Sequence, residues 1–368
     1  MRFFDKRIFL HFDYLLILLI LPLILVSHSL IFEINENLAN KQLIYLLIAI
    51  FVFVFIFFLP IRKNYRLIPF VYWLGILLLI FVDFYGVSKL GARRWIEIPF
   101  VNLTFQPSEI IKPMMILMLG YLVSQNPPKK GGYGLAKFAY FSIYILLPFI
   151  LVAKEPDLGT ALILLFVGYA ILFIIGVNWK IWLGIVLALA LASPIIYAYG
   201  IKDYQKKRIV NFVSRKPSYH VQQSIIAIGS GGIDGKDKKD ATQTQLKFLP
   251  IATSDFIFSY FVERYGFLGS LALIVLYLLI VLHLLSFIFS HKEDYMISVV
   301  SLSIGFMVFF NTSINILMVI GFAPVVGIPL PFVSYGGSAF LDFIAMFAIL
   351  ENLVAFRFKD SYAFKRKM

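Results

Sequence analysis

Runs of about 20 apolar residues, the length needed to cross a bilayer core, recur along the whole chain with short polar stretches between them. They predict ten membrane-spanning helices, near 14–32, 43–60, 67–84, 107–123, 138–153, 158–177, 181–199, 256–290, 295–320 and 336–356. The first run is too long for the apolar region of a signal peptide, and no small-x-small cleavage site follows it. It therefore reads as a span. The expected fold is an all-α polytopic membrane protein, one integral membrane domain over residues 1–368.

Basic residues in the short connections set an orientation. Arg2, Lys6 and Arg7 precede span one, Arg62, Lys63 and Arg66 follow span two, and Lys129, Lys130 and Lys137 follow span four. Arg357, Lys359, Lys365, Arg366 and Lys367 follow span ten. All four groups fall on one side of a ten-span chain, so both termini are expected to be cytoplasmic. Segments 85–106, 154–157, 200–255 and 321–335 then face outward. The large extracytoplasmic loop 200–255, between spans seven and eight, carries ten Lys and Arg against five Asp. Long loops cross the membrane largely regardless of charge, so the orientation stands.

Composition supports the membrane reading and narrows the chemistry. The chain is 61% hydrophobic and 14% charged, against about 45–50% and about 25% in soluble domains, and its mean hydropathy is +0.89. It has no cysteine, which excludes disulfides, iron–sulfur clusters and thiolate metal sites. The five histidines are scattered and show no metal-ligand spacing, so no metal site is expected. The net charge of +13 is concentrated outside the spans. In the outer loop it reads either as a solvated surface or as a site for an anionic partner: phosphate, pyrophosphate or a lipid headgroup. Nucleic acid is not expected, because the cations are not interleaved with a stacking platform.

Four outward stretches carry candidate chemistry. In the first, Arg93, Arg94 and Trp95 precede Gln106-Pro-Ser-Glu-Ile-Ile-Lys-Pro113. Pro107 suits a helix start. Glu109 and Lys112, three apart, share a helix face inside the membrane, either as a structural ion pair or as a functional one. The second is the turn Lys154-Glu-Pro-Asp-Leu-Gly-Thr160, where Asp157 suits a helix cap. The third runs through the large loop. It holds Lys206, Lys207 and Arg208, a glycine run at 229–232, and Asp255, whose place before a span favours a cap on sequence alone. The fourth is Pro324-Val-Val-Gly-Ile-Pro-Leu-Pro-Phe-Val-Ser-Tyr-Gly-Gly-Ser338, preceded by Asn315. Its prolines exclude a continuous helix, so it reads as a re-entrant segment buried in protein or lining a cavity.

Together these stretches resemble the SEDS family (shape, elongation, division and sporulation), nearest its elongation member. The resemblance runs from about residue 85 to 340. It is carried by GARRWIEIPFVNLTFQPSEIIKP, EPDLGTALIL, YHVQQSIIAIGSGG, QTQLKFLP with SDFIF, and PVVGIPLPFVSYGGS, in order. It implies a ten-span fold in the bacterial cytoplasmic (inner) membrane and a peptidoglycan glycosyltransferase that polymerises lipid II at the outer face during cell elongation. The family's essential aspartate falls on Asp255, which reverses the cap reading and makes Asp255 the expected general base of an inverting transfer. The family's charged residues fall on Arg94, Glu109, Lys112 and Asp157; the loop cations Lys207 and Arg208, suited to a leaving pyrophosphate, and Ser334 and Gly336 complete the expected substrate-binding set.

The resemblance further implies an undecaprenyl-pyrophosphate-linked glycan strand as donor. It implies as partners a class B penicillin-binding protein (a transpeptidase) and other membrane proteins of an elongation complex. No cofactor is required by the sequence, and a divalent cation (Mg or Mn) is compatible with the chemistry. The chain departs from the family pattern at Ile251, Thr253, Arg264, Leu317 and Asp342. Competing readings are a division-type enzyme of the same family, a non-catalytic scaffold, and a lipid II flippase, which the intramembrane Asn315, Asp342 and Glu351 would suit.

Overall fold

A computed structural model of the chain describes residues 7–89, 92–98, 103–155, 157–200, 206, 210, 212, 218–245, 248–249 and 251–357. The helices that carry the fold begin with α1 (Tyr14–Ile34), α2 (Glu36–Phe58), α3 (Ile68–Tyr85), α4 (Pro107–Gln125), α5 (Leu135–Lys154) and α6 (Leu158–Ile175). They continue with α7 (Trp179–Ile195), α8 (Tyr219–Ser230), α9 (Ile257–Ser290), α10 (Tyr295–Val319) and α11 (Gly337–Ala355). All but α8 fall on the ten apolar runs. Eight are long and apolar enough to span a membrane by length and composition. The other two are α7, at 17 residues, and α4, which carries Glu109 and Lys112 near its start. The chain is a polytopic helical membrane protein.

Local chemistry explains where helices begin and break. Asn35, in extended conformation, ends α1, and its side chain accepts from the Leu38 amide at 3.2 Å to start α2. That cap extends α2 back through the polar residues 36–42, well before the apolar run begins. The single long run at 256–290 is one span too long for a bilayer. Gly266, at φ 63, breaks α9 there. A Cβ at Gly266 would lie 2.3 Å from the Ile233 carbonyl oxygen, so only glycine fits. Segment 87–105, read as an outer loop, instead forms a small antiparallel sheet of β1 (Val87–Lys89), β2 (Ala92–Ile98) and β3 (Leu103–Phe105), ordered β1-β2-β3. Trp95 pairs with Val87, and Glu97 with Thr104.

The helices pack around α4 and α10. Of the apolar windows of α10 and α11, 67% is buried, against 17% for α2. The exposed faces of outer helices carry Leu47, Phe51, Phe55, Leu77 and Leu187; lipid is their solvent. Where apolar burial alone supplies little drive, polar side chains tie helices together. Tyr72 donates to the Tyr144 carbonyl at 3.0 Å. Asn352 donates to the carbonyls of Phe57 and Leu59 at 2.6 and 2.7 Å. Gln42 donates to Ser27, which donates in turn to the Val333 carbonyl at 2.7 Å.

The proline segment 321–336 is irregular, and its second half is held inside the protein, as non-helical backbone at membrane depth requires. Ile328, Leu330, Phe332, Val333 and Ser334 are buried. Gly321 and Gly327 take left-handed conformations, and so does Phe332 at φ 63, a strained value for a bulky residue.

Candidate functional site

Asp255 lies in the turn that leads into α9. The cap of that helix is Phe256, with no side-chain hydrogen bond, so the Asp255 carboxylate is not spent on capping. The backbone around it is anchored instead. Tyr335 donates its amide to the Thr253 carbonyl at 2.8 Å. The Ser334 hydroxyl donates to the Ser254 carbonyl at 2.7 Å, and the Asn315 side-chain amide to the Asp255 carbonyl at 2.9 Å. Three successive carbonyls are thus fixed by α10 and the proline segment. The carboxylate meets the backbone of Gly327, where a Cβ would stand 3.5 Å from Oδ2. Burial raises the Asp255 carboxyl above its ordinary value, opposed by a hydrogen bond from the Ser254 side chain. A partly desolvated carboxylate of raised basicity is what a general base requires.

A second cluster sits at the α5–α6 turn. Strand β2 holds Arg94 over it. Arg94 Nε donates to the Glu155 carbonyl at 2.9 Å, and Nη1 lies 3.8 Å from Asp157 Oδ2. Asp157 is the helix cap that its position suggests. Its Oδ1 accepts from the Thr160 amide at 3.3 Å and caps α6, while Oδ2 accepts from Gln106 at 2.9 Å and faces Arg94. Glu155, absent from the sequence-derived set, is 2% exposed. Neither of its carboxyl oxygens has a hydrogen-bond partner among the described residues. Its pKa is pushed up to about 8, first by burial, then by Asp157 and Asp83, with Arg94 opposing. The two clusters meet across one short stretch. Gly159 packs on the Val326 carbonyl and Ile328, and Gly327 between them faces Asp255.

The third group is the pair foreseen on α4. Lys112 Nζ lies 2.8 Å from Glu109 Oε2, and both are buried. Asp342 of α11 also lies 2.8 Å from Lys112 Nζ, a contact between helices far apart in sequence that spacing alone does not reveal. Ser334 is buried, with the Leu330 amide and the Ser254 carbonyl as its partners. Gly336 caps α11 in extended conformation without a side-chain bond. Lys207 and Arg208 lie outside the described residues. Within the large loop, Gly231 and Gly235 serve close backbone packing, each leaving 2.2 Å between an added Cβ and a carbonyl oxygen, of Val262 and Arg264 respectively. Arg264, a departure from the family pattern, pairs with Glu33 of α1 at 2.7 Å.

Comparison with known proteins follows the same outline. A family model described as cell cycle protein, FtsW/RodA/SpoVE, matches residues 3–359. A peptidoglycan glycosyltransferase MrdB of Helicobacter pylori J99 is 52% identical over 354 residues, 96% of this chain and 93% of that protein. The peptidoglycan glycosyltransferase MrdB of Escherichia coli K12 is 33% identical, with 95% of each chain covered. A solved structure, described as showing structural coordination of polymerization and crosslinking by a peptidoglycan synthase complex, superposes with a TM-score of 0.82 at 25% identity. The match covers 95% of this chain and 99% of that one.

Proposed function

The chain belongs to the FtsW/RodA/SpoVE family and is a peptidoglycan glycosyltransferase of the elongation type, and from that premise we propose how its residues perform the transfer. The acceptor is the glucosamine 4-hydroxyl of lipid II. The donor is a glycan strand linked through its reducing-end sugar to undecaprenyl pyrophosphate. Asp255 takes the proton of the acceptor hydroxyl as its oxygen attacks the anomeric carbon of the donor. The new glycosidic bond forms as the bond to pyrophosphate breaks on the opposite face, so the configuration inverts. The leaving pyrophosphate departs as an anion and needs charge stabilisation rather than a proton.

Arg94 is the cation best placed to supply that stabilisation. It is partly exposed, with 25% of its side chain accessible, and planar guanidinium suits phosphate oxygens. Lys207 and Arg208 of the basic loop join it as candidates. The Lys112 ammonium is already committed to two carboxylates, so we assign Glu109 and Lys112 to holding the groove in shape. Asp157 orients Arg94, Ser334 holds the turn that carries the base, and Gly336 starts α11 directly behind it. The site faces the outer side of the inner membrane, with both termini in the cytoplasm. A class B penicillin-binding protein cross-links the strand as it emerges.

The observation that carries this reading is the Asp255 carboxylate left free of capping while its backbone is held at three successive carbonyls. Purified protein in lipid nanodiscs, given lipid II, is expected to build glycan strands, and the Asp255→Asn protein to build none while inserting and folding normally. Polymerisation by Asp255→Asn at the wild-type rate would overturn the assignment.

A further inference from the structure

Lys112 stands between two carboxylates where one would neutralise it. Glu109 is within reach because residues three apart share a helix face. Asp342 reaches the same ammonium from α11. The Lys112, Glu109 and Asp342 side chains are 5%, 9% and 1% exposed. Among the described residues, no second cation pairs with either carboxylate. A buried ion pair needs only one carboxylate, and a second adds a desolvation cost without a compensating charge. Ionisable groups kept inside a membrane at such a cost mark function.

What Asp342 connects gives that function its form. It lies in the second turn of α11, which begins at Gly337 directly after the proline segment. Ser334 and Tyr335 of that segment hold the Ser254 and Thr253 carbonyls beside Asp255. Lys112 Nζ also lies 5.8 Å over the Phe343 ring, and Phe343 packs on Phe332 of the proline segment with centroids 5.4 Å apart. The Asp342–Lys112 contact therefore locks α4 to the start of α11, and with it the segment that sets the Asp255 turn.

We propose that Asp342 is a positioning residue for glycosyl transfer, holding the Lys112 ammonium from α11 so that the proline segment keeps the Asp255 turn in place. This rests on the reading of Asp255 as the base. Charge arithmetic separates the role from a merely structural one. Asp342→Asn removes the surplus negative charge and leaves a neutral Glu109–Lys112 pair, so the fold is expected to keep its melting temperature.

The test uses the full-length protein in nanodiscs with lipid II, measuring kcat per folded molecule, KM and melting temperature. Asp342→Asn is expected to lower kcat about tenfold with KM within twofold and melting unchanged, and Asp342→Glu to restore kcat to within about threefold of wild type. Asp342→Ala takes the place of Asp342→Asn if the latter does not fold. A folded neutral variant with wild-type kcat overturns the proposal. So does activity that falls only in step with the folded fraction, and so does failure of both neutral variants to fold, which would make Asp342 a folding residue. Wild-type protein that builds no strands would instead sink the reading of the enzyme itself.

Discussion

One amide group, the side chain of Asn315 on α10, donates both to the Asp255 carbonyl at 2.9 Å and to the Ile328 carbonyl at 2.8 Å. It thereby fixes the Asp255 turn and the proline segment opposite it as one unit. Asn315→Leu keeps much of the volume but offers no donor, and Asn315→Ala removes both bonds. Leaving buried carbonyls unpaired costs about 1–3 kcal/mol each. Both variants are expected to melt several degrees lower and to lose at least tenfold in kcat, read by thermal unfolding and lipid II polymerisation. Wild-type kcat in a folded Asn315→Leu protein would show that this tie does not matter to Asp255.

The environment of Asp255 makes a statement about pH. A general base works only when deprotonated, and burial raises this carboxyl above its ordinary value of 3.8. The rate of polymerisation is therefore expected to rise with pH through an acid limb placed above the ordinary aspartate range. The limb should be carried by Asp255 itself. A pH–rate profile over the acid and neutral range measures it; a wild-type limb centred at or below 3.8 contradicts it.

Glu155 predicts a pH dependence of stability with a definite sign. Its folded pKa is raised from 4.5 to about 8, so the folded protein binds the proton more tightly than the unfolded chain. Stability from this group is fully present below about 4.5 and is lost as pH rises through about 8. Glu155→Gln cannot ionise. The melting temperature of wild type relative to Glu155→Gln is expected to fall by several degrees between pH 5 and 9, roughly the window that the shift defines. A constant difference across that window would mean that Glu155 finds a partner when charged.

Arg264 and Glu33 predict a coupling between α1 and α9, the helix that follows the Asp255 turn. Arg264 donates through Nε and Nη2 at 2.7 and 3.0 Å, a two-pronged bond to one carboxylate. Either single replacement by alanine should cost about 1.5–3 kcal/mol, the range for hydrogen bonds to charged groups. The double replacement should cost much less than the sum, which a double-mutant cycle on chemical unfolding reads directly.

Much of the fold was legible because a membrane imposes a length on each helix and leaves basic residues in the loops. What failed has local causes. The break at Gly266 was invisible inside an uninterrupted apolar run, because it depends on backbone from Ile233 and Gly235 approaching it. The sheet at 87–105 is built from strands of three to seven residues, too short for alternation to register. At the site, Asp157 and the Glu109–Lys112 pair stood out by type and spacing. Asp342 stood out only as an anomaly, since its partner lies on another helix. Asp255 looked like a cap because aspartate before a helix usually is one; the family motif argued against it, and the cap of α9 falls on Phe256 instead.

The anchors of the Asp255 turn also fix an order of manufacture. Asn315 lies 60 residues beyond Asp255, and Ser334 lies 80 beyond Ser254. A nascent chain that has just delivered Asp255 holds its carboxylate but none of the groups that fix the turn around it. Those arrive only when α10 and the proline segment have been synthesised and packed. The anchored turn is thus acquired at the end of biogenesis, and a truncated product that stops short of α10 inserts its early helices without the bonds that hold Asp255 in place.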